Sequence, residues 1–124
     1  VLLYLGQYPT DFNWSRLERT DSHVFLTVSR DPISHPGVVR ADPGRFDAAD
    51  ILASCDVVVG KAGYGTVADC IASDVPLVYA RTTGFVEADA LDAELAEWGR
   101  GVKIDRETLF HGDLAPAIEK ALAS

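Results

Sequence analysis

The residues best suited to chemistry lie in "GKAGYGTVAD", positions 60 to 69, which holds Gly60, Gly63 and Gly65, then Thr66 and Asp69. Glycine loses more conformational freedom on folding than any other residue. A cluster of it therefore marks backbone that must take a positive φ or let another group come close. Behind the cluster, a segment from about Thr66 to Ser73 has helical character. The start of such a helix offers unpaired N–H groups and the positive end of the helix dipole, which suits a phosphate. The absence of side chains at Gly63 and Gly65 would let that phosphate reach the backbone. The same residues also fit a plain strand-to-helix turn, with Thr66 and Asp69 as a capping box. Asp69 constrains the phosphate reading, because a carboxylate one turn away repels phosphate unless it faces neutral hydroxyls.

Other chemistries fit the spacing less well. A Walker A loop needs Lys directly before Ser or Thr, and Lys61 stands ahead of the glycines instead. The run "GYGTVA" (63–68) does match G-x-G-x-x-A, and Arg81, after the next apolar run, could meet a 2′-phosphate, so an NADP-binding protein is the alternative. No G-x-S-x-G elbow marks a serine hydrolase. His23, His35 and His111 have no metal spacing, and Cys55 and Cys70 form no C-x-x-C. No metal site and no disulfide are expected.

Apolar runs at 1–5, 23–28, 37–41, 56–60, 76–80 and 101–104 supply the elements that must position the loop. They are largely apolar rather than alternating, as expected for parallel strands covered on both faces. "DVVVG" (56–60) is the most β-branched and is expected at the centre of the sheet. Helical patterns fall at about 12–20, 47–55, 66–73, 85–98 and 114–122, with Gly99 stopping the fourth. Three prolines in 29–48, at 32, 36 and 43, argue against a helix between the second and third strands. The order predicts an α/β fold: a Rossmann-like three-layer sandwich with a parallel sheet of about six strands. In such sheets ligands sit beyond the carboxyl ends of the strands, where the Gly60–Gly65 loop emerges.

At 124 residues the chain fits one domain, residues 1–124, with enough length for a core. Its net charge of −8 repels polyanions, so no nucleic-acid partner is expected. No apolar run approaches the ~20 residues of a membrane span, and a cytoplasmic location is expected. The chain lacks Met and opens at Val1 within an apolar run, and so reads as a segment of a longer protein.

The stretch "ADILASCDVVVGKAGYGTVADCIASDVPLVYAR", followed by "FVEADAL" and "GRGVKI", resembles the donor-binding C-terminal half of GT-B glycosyltransferases, which have two facing Rossmann-like domains. It is similar to the branch holding the peptidoglycan N-acetylglucosaminyltransferase. It resembles still more the glycosyltransferase-like domain fused to plant sugar kinases such as arabinokinase, with a shared "GK-GYGT" loop and an opening like "LGQYP" (5–9). The resemblance implies binding of a nucleotide sugar, most often a UDP-sugar, as donor substrate and no separate cofactor. It implies that backbone around Gly63, Tyr64, Gly65 and Thr66 holds the diphosphate and that Asp69 takes the ribose hydroxyls. Val39, Arg40 and Ala41 would line the base, while Thr83 to Glu87 would approach the sugar. The acceptor and the general base would belong to an N-terminal domain outside this chain, so no catalytic residue is assigned. A degenerate accessory module that only docks a partner is the non-enzyme alternative. The chain departs from the family pattern in having Asp rather than Glu at position 69, Asp rather than Gly at position 74, and no Gln near Val86.

Overall fold

Short runs rich in Val and Leu become strands and the amphipathic segments between them become helices. The computed structural model describes residues 1–4, 24–27, 38–40, 47–61, 64–80, 88–111 and 114–124. In chain order these are β1 (Leu2–Tyr4), β2 (Phe25–Thr27), β3 (Val38–Arg40), α1 (Ala48–Ala53), β4 (Val58–Lys61), α2 (Tyr64–Ser73), β5 (Leu77–Ala80), α3 (Ala88–Trp98), β6 (Gly101–Ile104), α4 (Arg106–His111) and α5 (Ala115–Leu122). The helix expected after Asp11 and the connection between β2 and β3 lie outside the described residues.

The six strands form one sheet in the order β3-β2-β1-β4-β5-β6, and every neighbouring pair is parallel. This is the doubly wound order, in which the chain reverses direction across the sheet between β1 and β4. Alternate strand residues feed two cores. Leu2, Val58, Leu77 and Tyr79 join Ile51 and Leu52 of α1, Val67 and Cys70 of α2, and Leu91 and Leu95 of α3. Leu3, Phe25, Val59, Val78 and Val102 join Leu109 of α4 and Ala117, Ile118 and Ala121 of α5. The sheet is thus the middle of three layers, as expected. Covering both faces explains why its strands read as continuous apolar runs.

Local chemistry sets the element ends. Asp47 caps α1 by accepting a hydrogen bond from the Ala49 amide at 3.1 Å. Gly99, with φ of 83°, ends α3, because that left-handed conformation costs an L side chain about 1–2 kcal/mol. α2 ends with Asp74 in the same region, at φ 53°. The Asp74 amide donates to the Ile71 carbonyl and the Val75 amide to the Cys70 carbonyl, the paired bonds of a Schellman turn. Arg100 holds this turn, its guanidinium lying 2.6 Å from the Asp74 carbonyl oxygen and 2.9 Å from the carboxylate. An acid therefore replaces the customary glycine because its short polar side chain tolerates αL and meets a cation there. We expect Asp74→Val to lower stability by about 1–2 kcal/mol and Asp74→Gly to change it by less than about 0.5 kcal/mol. Urea unfolding of the two variants checks this.

On the next sheet positions, the buried Tyr79 phenol hydrogen-bonds to Asp92 of α3, and Lys103 of β6 lies 3.4 Å from the same carboxylate. This ties α3 across β5 and β6. Cys55 is half-buried and Cys70 fully buried, both as free thiols. Burial, and secondarily the Asp69 carboxylate, push the Cys70 thiol up to about 12 from 9.0. The folded chain holds this proton more tightly than the unfolded chain does. Its contribution to stability is therefore complete below pH 9 and is lost as pH rises towards 12. A thermal unfolding midpoint that falls between pH 8 and 10.5, and falls less in Cys70→Ala, is the expected result. Among the described residues, no helix is long and apolar enough to cross a membrane.

Candidate functional site

β4 lies inside the sheet between β1 and β5, as its β-branched composition predicts, and its carboxyl end opens towards α2. The element boundaries differ from expectation here. β4 runs through Gly60 to Lys61 and α2 begins at Tyr64, so only residues 62 and 63 stand between strand and helix. The expected six-residue glycine loop is mostly strand and helix.

The glycines consequently have different reasons to exist. At Gly60 a Cβ would fall on the backbone carbonyl oxygen of Tyr4, its register partner in β1. Glycine there serves the close approach of two strands, and that position is removed from the phosphate reading. Gly65 is the second residue of α2, is exposed, and, among the described residues, a Cβ built on it meets no heavy atom within 4 Å beyond its chain neighbours and its own helix backbone. Its φ is not positive either, since Gly99 is the one glycine with positive φ among the described residues. Among the described residues, neither packing nor backbone conformation asks for glycine at 65. Yet glycine in a helix costs about 1 kcal/mol relative to alanine.

Thr66 is the third residue of α2 and half-buried. It therefore cannot cap that helix, whose cap position precedes Tyr64. The capping-box reading of Thr66 and Asp69 is overturned, because a capping side chain must stand outside the first turn to reach back to its amides. By helix geometry the amides of Tyr64, Gly65 and Thr66 have no acceptor within α2. They point out of its first turn, at the end where the dipole is positive. Asp69, three residues after Thr66 and half-buried, shares that residue's side of the helix but lies a turn further from the amides. This spacing separates a carboxylate from an anion held at the helix start.

Val39 and Arg40 lie at the carboxyl end of β3, both exposed, at the edge of the sheet. Three strand spacings of about 4.8 Å put that edge about 14 Å from β4 along the sheet. The structure thus gathers Tyr64, Gly65, Thr66 and Asp69 on one helix and sets Val39 and Arg40 apart on the same rim. Ala41, Gly63, Thr83 and Glu87 lie outside the described residues. The "GYGTVA" run follows β4 rather than β1, whereas the dinucleotide fingerprint occupies the first strand-to-helix turn. At the opposite, amino edge of the sheet lies a pocket of about 310 Å³ lined by residues including Val24, Leu26, Cys55, Asp56 and Leu122. None of the candidate residues lines it. Among the described residues, no group of three or more His, Cys, Asp or Glu side chains is arranged to hold a metal ion.

This architecture is similar to that of the glycosyltransferase SnogD from Streptomyces nogalater, with a TM-score of 0.60 and 17% identity over 98% of this chain and 37% of that one. The chain has the fold of one half of a GT-B-type glycosyltransferase. Sequence likeness points the same way. The L-arabinokinase of Arabidopsis thaliana is 36% identical over 125 residues, which is 99% of this chain and 12% of that protein. No protein-family model matches the chain. The GT-B-type half therefore spans a small part of the length of each of these proteins.

Two features of this GT-B-type half were not singled out by residue pattern alone. Tyr4, the last residue of β1, borders the same mouth as α2, and only the strand order shows this. The glycine requirement at Gly60 arises from a residue far away in the chain, so no local signal announces it.

Proposed function

We propose that the chain is the donor-binding half of a glycosyltransferase and holds a nucleotide diphosphate sugar, with UDP as the nucleotide. The observation that supports this most is Gly65, a glycine in a helix for which the described residues give no packing or conformational reason. A phosphate drawn to the free amides of the first turn of α2 would occupy the space a Cβ would otherwise fill. The crevice between the carboxyl ends of β1 and β4 is where doubly wound sheets bind ligands, and α2 opens on it. Asp69, one turn down, would accept hydrogen bonds from the ribose hydroxyls, and the rim at Val39, Arg40 and Ala41 would line the base. Thr83 and Glu87 would approach the sugar.

In this reading the chain binds and orients the donor, and its helix amides stabilise the charge that develops on the departing diphosphate. The acceptor and the group that removes its proton belong to another domain of a longer protein. Much of the acceleration in such a reaction comes from holding two substrates together, so this chain alone transfers no sugar. Calorimetric titration with UDP, UDP-sugars, GDP, TDP and NADPH tests the proposal. Saturable heat with UDP and UDP-sugars supports it. Binding of NADPH in place of UDP, or no heat with any nucleotide, overturns it.

A further inference from the structure

We draw no further inference here: the strongest candidate, the pocket of about 310 Å³ at the amino edge of the sheet, is a recess holding a lone cysteine, Cys55, beside the exposed apolar side chains of Val24 and Leu122, and nothing in the structure shows what covers it.

Discussion

Gly65→Val abolishes nucleotide binding and leaves the fold intact. Among the described residues, no other element comes within 4 Å of a Cβ at Gly65, so a valine there meets no such neighbour at its point of branching. Valine is also no worse than glycine as a helix residue, so the thermal midpoint stays the same or rises slightly. What the branched side chain occupies is the space outside the first turn of α2, where the anion would sit. Losing two charge-assisted hydrogen bonds, at about 1.5 kcal/mol each, weakens UDP binding about 100-fold or more. Paired calorimetry and thermal unfolding measure this. Full affinity in the variant would show that the open space at 65 is not a binding site.

Gly60→Ala has the opposite signature. The added Cβ falls on the Tyr4 carbonyl oxygen, which belongs to backbone and cannot rotate away. Relief requires β1 and β4 to part, and these strands pair through Leu2 with Val58, Leu3 with Val59 and Tyr4 with Gly60. Leu2, Leu3, Val58 and Val59 are all fully or almost fully buried, so parting them opens both cores at once. We expect a loss of about 3 kcal/mol or more, at the upper end for overpacking by a single methyl group. Urea unfolding gives the value. A variant as stable as the parent would mean that the strands can shift without cost.

These contrasting glycines show which parts of the molecule can be read from local pattern. The β-branched run at 56–60 announces an interior strand, and the strands at 76–80 and 101–104 appear within a residue of their expected bounds. The parallel three-layer arrangement follows from runs that are apolar on both faces. Less legible was the start of α2. Two glycines and a threonine suggest a loop and a cap, but the helix begins two residues earlier because packing of Val67, Cys70 and Ile71 on the sheet outweighs weak local preference. α4 was not foreseen, since the six residues "RETLFH", with Leu109 buried, are too short a pattern to declare a period. Gly60 resembled its neighbours at 63 and 65 because the atom that demands it lies in β1. Asp74 departed from the expected glycine, and the compensating partner, Arg100, lies beyond the next strand and helix. At Gly60 and Asp74 the deciding partner is remote in sequence, while the features read correctly depend on adjacent residues.

The same remoteness has a consequence for how the chain works. β1 to β3 and β4 to β6 are each stitched from neighbours in sequence, and a single seam, β1 against β4, joins the two triplets. Closing that seam ties Leu2 to Val58, the longest loop among the strand pairings and so the largest toll in chain freedom. The proposed cradle straddles it. Any molecule gripped from both banks would act as a fastener for the two halves, resisting their separation in proportion to how tightly it is held.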